Sequence, residues 1–378
     1  MFAQQMKTKV VKIDEQKPDI AKIKEAAAVI DAGGLVAFPT ETVYGIACRV
    51  NSDSLAKLNE IKCRDSNKHY TLHISQKSDV RKYVPSVSLK AQKLIGNAWP
   101  GPVTIVFELN EHDLAQQHKI LKRNIFENLY SSSSIGIRCP DNAIASILLR
   151  LTHNPIVAPS ANLAGENPSV EPKQVLSQFS GKIEILLDSG ASRYRKSSTI
   201  VKIEKGVLKI LRAGVYSQED IERMAEVNFL FVCSGNTCRS PMAEGIFRKY
   251  LAEKLQYKVD RLGELGYKVS SAGILDMDGY PASAEAITAC AAKGIDISIH
   301  RSKKLSVQLL KESDYIFAMA HSHCEHVVNM WPDAQKRCII LAENEDIVDP
   351  IGQSQEFFNN CANLIEKAVK ERISGLVI

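Results

Sequence analysis

The sequence is short of the features that would place it in a special class. It has no apolar run near the length of a membrane span, so no membrane partner is expected. Its opening Met1-Phe-Ala-Gln-Gln lacks the charged-then-apolar pattern of an export signal. Aromatic residues make up only 6% and Trp occurs twice, yet the hydrophobic share is 45%, enough for ordinary cores rather than disorder. The net charge of +5 is too small to demand nucleic acid, though it suits anionic ligands. No Gly/Pro/Ser-rich linker, repeat or low-complexity tract interrupts the chain. Neither Gly-x4-Gly-Lys-Ser/Thr nor Gly-x-Gly-x-x-Gly is present, which removes the two commonest nucleotide loops. The cysteines number nine, odd and irregularly spaced, which argues against a disulfide framework and for a reducing, cytoplasmic compartment. At 378 residues the chain is sized for two domains.

The densest chemistry lies in Phe231-Val-Cys-Ser-Gly-Asn-Thr-Cys-Arg-Ser-Pro241. The run 228–232 reads as a buried strand. Met242, Ile246, Phe247, Tyr250 and Leu251 then recur at helical spacing. Ser240 suits an N-cap and Pro241 the first helical position. Cys233 therefore falls on a strand-to-helix loop, where the amides of Ser234, Gly235, Asn236, Thr237, Cys238 and Arg239 can form an anion nest. Asn236 tolerates the left-handed backbone such a nest needs. The nest, the helix dipole and Arg239 should favour a Cys233 thiolate, with Cys238 placed to trap it as a disulfide on oxidation. Arg239 offers a bidentate clamp for phosphate oxygens. Asp349, in Ile347-Val-Asp-Pro-Ile-Gly-Gln353, can reach the same sheet edge as a proton donor.

This stretch resembles the phosphate loop of the low-molecular-weight protein-tyrosine-phosphatase family. The resemblance implies Cys233 as nucleophile, Arg239 as clamp and Asp349 of Asp349-Pro350 as general acid, with a phosphoprotein as substrate. It also implies that Ser240 holds the thiolate by hydrogen bonding and that Asn236 locks the loop. Thr237-Cys238 resembles the protein-arginine-phosphatase members, where tyrosine-directed members carry a bulkier aliphatic residue. Ile351 stands where those members tend to place an aromatic wall. Both features lean towards phosphoarginine, with phosphotyrosine the alternative. Arsenate reduction on the same fold is set aside, because Cys290, Cys324, Cys338 and Cys361 offer no close pair on the sequence reading. The cluster His321-Ser-His-Cys-Glu-His326 does not match a zinc spacing and reads as a polar helix start; no metal site is expected.

The first half carries a second signal, Pro39-Thr-Glu-Thr-Val-Tyr-Gly45 at a strand end. Thr40, Lys62, Arg64, Lys68, His73, Arg138, Ser160, Asn162, Ser198, Thr199 and Arg212 lie on separate elements. Bases and hydroxyls converging there suit a polyanion beside a small amino-acid-like ligand. Together with Lys62-x-Arg64, Trp99-Pro-Gly-Pro-Val-Thr104, Ala158-Pro-Ser-Ala-Asn162, Ser198-Thr199 and Leu211-Arg-Ala-Gly214, this half resembles the YrdC-type threonylcarbamoyl-AMP synthases over roughly residues 10 to 224. The resemblance implies synthesis of L-threonylcarbamoyl-AMP from L-threonine, bicarbonate and ATP, with Mg2+ arriving on the nucleotide. It implies hand-off to the tRNA threonylcarbamoyl transferase machinery for t6A modification, and contact with RNA. By that analogy Thr40, His73 and Arg138 hold threonine, while Lys62, Arg64, Thr104, Ser160, Asn162, Ser198 and Arg212 hold ATP. Asp65, Lys68-His-Tyr70 and Ser197 depart from the family pattern.

The expected architecture is α/β throughout. Residues 7–224 should form a YrdC-like twisted mixed sheet with helices, and residues 228–376 a doubly wound parallel four-stranded sheet. The polar stretch 110–134 reads as a surface excursion. The last helix should bury Phe357, Phe358, Cys361, Leu364, Ile365, Ala368 and Val369. The reading is a bifunctional enzyme; a protein-tyrosine phosphatase beside an RNA-binding or scaffold YrdC domain is the alternative.

Overall fold

The computed structural model of the protein describes residues 6–65, 69–343 and 345–378. The chain divides into two units, one ending at Ala225 and the other running from Glu226 to Ile378. Among the described residues no helix is long and apolar enough to cross a membrane.

The first unit holds a ten-stranded mixed sheet. In chain order its strands are β1 (Lys9–Lys12), β2 (Val36–Phe38), β3 (Gly45–Arg49), β4 (Leu72–His73) and β5 (Val103–Glu108), then β6 (Ser134–Arg138), β7 (Ile156–Val157), β8 (Ile185–Asp188), β9 (Thr199–Glu204) and β10 (Val207–Arg212). Across the sheet they run β1-β8-β2-β3-β7-β4-β6-β5-β9-β10, so strands distant in sequence end side by side. Two cores sandwich the sheet: one contains Tyr44, Leu72, Ile105 and Ile137, the other Ile23, Phe38, Ile144 and Leu187. Each fully buried side chain of this size contributes roughly 1.5–3 kcal/mol.

The excursion expected at 110–134 is instead two helices, Glu111–Ile120 and Arg123–Leu129. Asn110 caps the first by accepting from the Asp113 amide, and Tyr130 inserts its hydroxyl against Tyr83 O at 2.7 Å. These helices face the core with few residues, so their apolar periodicity is faint in the sequence. Ser217 opens helix Gln218–Met224 with a capping box: its hydroxyl and the Asp220 carboxylate cap each other's backbone.

The second unit is a four-stranded, all-parallel sheet. Its strands are β11 (Val227–Cys233), β12 (Tyr267–Gly273), β13 (Tyr315–Ala318) and β14 (Cys338–Ile340), in the order β12-β11-β13-β14. Phe229 and Phe231 pack on Phe247 with ring centroids 4.7 and 5.3 Å apart. That contact seats helix Arg239–Leu255 directly over β11, with Cys233 at the carboxyl end of the central strand. The closing helix, Gln355–Ser374, buries Phe358, Cys361, Ala362, Ile365, Ala368, Val369 and Ile373. Phe357, expected inside, is 37% exposed, while the next residue, Phe358, takes the buried place.

Candidate active sites

In the second unit the Cys233 loop is held from behind by its own side chains. Asn236 adopts φ +54°, the left-handed conformation its side-chain type tolerates. Its amide nitrogen donates to Ser240 Oγ at 2.9 Å and Ser271 Oγ at 2.8 Å, and its Oδ1 accepts from the Lys303 amide. Ser271 in turn donates to Glu244, and His300 Nε2 meets Asn236 O at 2.8 Å. Gly273 is required beside the loop: a Cβ there would stand 2.8 Å from Ser234 O and 2.9 Å from Gly235 C.

Cys233 Sγ lies 2.9 Å from Ser240 Oγ and accepts from the Asn236 amide at 3.3 Å. Ser240 thus serves the sulfur and does not cap the helix, which starts two residues earlier than expected, at Arg239 with Cys238 in the N-cap position. The expected depression of the Cys233 thiol is not what this environment gives. Full burial is the largest influence and raises it, opposed by Ser240, Arg239 and the Asn236 amide. Arg239 is buried and its fork is fully directed. Nη1 donates to Ile347 O at 2.9 Å, Nη2 donates to Ser234 Oγ at 3.0 Å, and the same nitrogen ion-pairs with Asp349. Its Nε has no protein partner although buried. The structure therefore brings Cys233, Ser240, Arg239 and Asp349 to one sheet edge.

Thr237 sits at the loop rim, partly exposed, and Ser283 N donates to its carbonyl. Cys238 is turned away to Ser283 Oγ at 3.5 Å. Ile351 is 62% exposed beside Asp349. The sequence reading missed His323, weighed there only as a metal ligand. It is buried, its Nε2 meets Ser234 Oγ at 3.0 Å, and burial with the nearby Arg239 guanidinium pushes its pKa down to about 4. Among the described residues no group of three or more His, Cys, Asp and Glu is placed to hold a metal ion. The cysteine reading needs correction: Cys324 and Cys338 lie with sulfurs 3.4 Å apart, because helix His321–Met330 packs over the start of β14.

In the first unit, strand ends enclose a cavity of about 270 Å³. Its wall includes Thr40, Arg64, His73, Thr104, Arg138, Ser160, Ser198 and Arg212, residues widely separated in the sequence. Thr40 Oγ1 donates to Val43 O at 2.6 Å and lies 2.9 Å from Thr42 Oγ1, which folds the turn after β2. Arg138 Nη2 donates to Glu41 Oε1 at 2.9 Å and to Thr42 Oγ1 at 2.6 Å, all within the buried interior. Its Nε and the second Glu41 oxygen have no protein partner. His73 donates through Nδ1 to Thr71 O at 3.1 Å, and burial plus Arg138 pushes its pKa down to about 3, so it stays neutral at physiological pH.

On the neighbouring strand β5, where Thr104 pairs in register with Arg138, the Thr104 and Ser198 hydroxyls lie 3.1 Å apart, and Arg212 donates to Ser198 O at 2.9 Å and Ser198 Oγ at 3.1 Å. Gly214 permits this approach, since a Cβ would stand 2.2 Å from Thr199 N. Arg64 stacks over Tyr70 at 4.3 Å. Lys62 and Asn162 are not in the wall. Lys62 Nζ donates to the carbonyls of Ser160 (2.6 Å) and Asn162 from beneath, and burial pushes its pKa down to about 8. Asn162 Nδ2 donates to Leu163 O and Glu166 O. Thr199 Oγ1 donates to Tyr216 O, and Lys68 falls outside the described residues. Glu41, inside a motif already singled out, went unassigned because only the fold reveals its partner 97 residues on.

Two family models match the chain. Residues 28–214 match the Sua5/YciO/YrdC family, described as telomere recombination; residues 228–376 match the low molecular weight phosphotyrosine protein phosphatase family. A threonylcarbamoyl-AMP synthase of Pyrococcus abyssi is 31% identical over 232 residues, 61% of this chain and 65% of that protein. One from Bacillus subtilis is 31% identical over 221 residues, 57% of this chain and 61% of its own length. The chain thus spans slightly less than two thirds of each. The crystal structure of P. abyssi Sua5 complexed with L-threonine shares the fold at a TM-score of 0.51 and 22% identity, covering 70% of this chain and 92% of that one.

Proposed function

Because the chain joins a Sua5/YrdC-family domain to a low-molecular-weight-phosphatase-family domain, we propose that it is a bifunctional enzyme. One half would make L-threonylcarbamoyl-AMP from L-threonine, bicarbonate and ATP. The other would remove phosphate from a phosphoprotein, with phosphoarginine preferred. The observation that carries the phosphatase half is the convergence of the Cys233 sulfur, the Arg239 fork and the Asp349 carboxyl at one strand end.

In that half the Cys233 sulfur would attack phosphorus while Asp349 gives a proton to the departing oxygen or nitrogen. Arg239 would hold the equatorial oxygens as the bond to the leaving group breaks. Water would then attack the phosphocysteine, with Asp349 taking the proton. A phosphoryl dianion in the loop competes for the Arg239 fork, so its arrival would release Asp349 for this work. His323, kept neutral, would steady Ser234 and through it the fork. Thr237 at the rim supports the phosphoarginine reading, as its hydroxyl could address a guanidinium nitrogen.

In the synthase half, Arg138, His73 and Thr40 would take threonine and its carbamate. Arg64, Arg212, Thr104 and Ser198 would take the nucleotide phosphates. The carbamate oxygen would attack the α-phosphorus and pyrophosphate would leave, so catalysis is chiefly positioning and charge stabilisation. The cavity wall offers cations and hydroxyls and, among the described residues, no carboxylate. That donor set fits Mg2+ carried on the ATP phosphates, where the ion would neutralise charge. Lys62 would act by holding the Ser160–Asn162 segment. The product would pass to the tRNA threonylcarbamoyl transferase machinery in the cytoplasm.

Pyrophosphate release that requires both threonine and bicarbonate tests the first half; ATP-independent RNA binding alone would sink it. Phosphate release from matched phosphoarginine and phosphotyrosine peptides tests the second. We expect phosphoarginine to be preferred by wild type and that preference to be lost in Thr237→Ile. Preference for phosphotyrosine would remove the specificity reading and leave the phosphatase.

A further inference from the structure

Cys324 and Cys338 take no part in the chemistry above, yet their surroundings set them apart from ordinary core thiols. Cys324 lies in the second turn of helix His321–Met330 and is partly exposed; Cys338 opens β14 and is buried. Their sulfurs face each other at 3.4 Å, with Cys338 donating to Cys324. The pocket around them is apolar, built from Leu310, Ile316, Val327, Ala334 and Trp331. Cys233, Cys238 and Cys361 of the same unit face elsewhere: Cys233 to Ser240, Cys238 to Ser283 and Cys361 to Val348 O.

We infer that Cys324 and Cys338 form a dithiol modification site that peroxides close into an intramolecular disulfide, separate from the thiols of the Cys233 loop. The sulfurs must approach from 3.4 Å to about 2.05 Å, a movement within side-chain rotation and a small helix shift. Cys324 is the attacking thiol. Donation from Cys338 pulls its pKa down and His321 assists, whereas the same contact and burial raise Cys338. The Cys324 thiolate displaces hydroxide from hydrogen peroxide and becomes a sulfenic acid. Cys338 sulfur then attacks that sulfur and water leaves, so two thiols and one peroxide give one disulfide and two waters. The bond would tie the helix that carries His323 to β14, closing a loop of 14 residues' separation.

The test uses the full chain with Cys233→Ser, which removes the reactive loop thiol, treated with hydrogen peroxide, blocked with iodoacetamide and digested. We expect a linked peptide pair joining Cys324 and Cys338, lighter by two hydrogens than the sum and split by dithiothreitol. In Cys338→Ala, Cys324 should instead advance to the sulfinic acid. Full alkylation of both cysteines after peroxide would overturn the proposal. So would sulfinic Cys324 beside an intact Cys338 thiol in the Cys233→Ser protein. The first measurement needs no substitution in the pair, so it stands even if Cys338→Ala fails to fold. Reduced and oxidised protein should also differ by several degrees in the unfolding midpoint of this unit; equal midpoints would overturn the tie between helix and strand.

Discussion

The two candidate sites, both proposed to hold a phosphate-bearing ligand, are built by opposite constructions. In the second unit eight consecutive residues, Cys233 to Ser240, make the cradle, and the rest of the fold braces it from behind. In the first unit the wall is drawn from short stretches scattered between Thr40 and Arg212, each contributing one to four residues. A contiguous loop concentrates its chemistry, so one substitution should be decisive and local. A distributed pocket spreads it, so substitutions should also disturb the sheet that gathers it. Both sites nonetheless keep a buried arginine against a carboxylate, Arg239 on Asp349 and Arg138 on Glu41.

The comparison is sharpest at Cys233→Ser. Phosphate release should fall about 10³-fold or more, because the nucleophile is gone. Threonine-dependent pyrophosphate release should stay at the wild-type rate, and a matching loss there would break the separation of the sites. Arg138→Met should behave differently. It leaves the Glu41 carboxylate buried without its partner, so the first unit should lose about 3–5 kcal/mol of stability along with its activity. Adding Glu41→Gln should restore much of the stability, read by chemical denaturation, and none of the threonine dependence. Recovery of both would show that Arg138 only supports the fold.

A smaller effect concerns Lys62. Burial lowers its pKa from 10.5 to about 8, so the unfolded chain binds more protons than the folded one between those values. The contribution of this group to stability therefore rises with pH across that window. Activity should run the other way. Above about pH 8 the ammonium that grips Ser160 O and Asn162 O becomes a neutral amine, and kcat/KM for pyrophosphate release should decline. Phosphate release by the second unit should not share that decline through Lys62. A kcat/KM that stays flat to pH 10 would remove Lys62 from the synthase site.

The same contrast explains what the sequence could convey. Cys233, Arg239 and Asn236 were legible because strand, loop and helix follow one another without interruption, so spacing alone places the side chains. Asp349 was legible as a proton donor but not as Arg239's partner. In the first unit Thr40, Arg138 and Arg212 carry no local pattern linking them, and resemblance to a family was needed to gather them. What escaped altogether depends on pairing across the fold. Glu41 needs Arg138 on β6, His323 needs Ser234 after β11, and Cys324 needs Cys338 on β14. The two helices between Asn110 and Ser134 escaped for another reason: they bury too few residues to mark a face. The hold of Lys62 on the carbonyls of Ser160 and Asn162 was not legible, since its partners lie about a hundred residues on.

Under the proposed phosphatase chemistry, the Arg239–Asp349 pair makes the Cys233 loop an interlock. One nitrogen of the guanidinium serves both the carboxylate and Ser234, so an incoming phosphoryl group gains its clamp only as the acid lets go. Seating the substrate and arming the proton donor are then a single exchange of partners. A neutral molecule of the same shape could fill the loop without triggering that exchange.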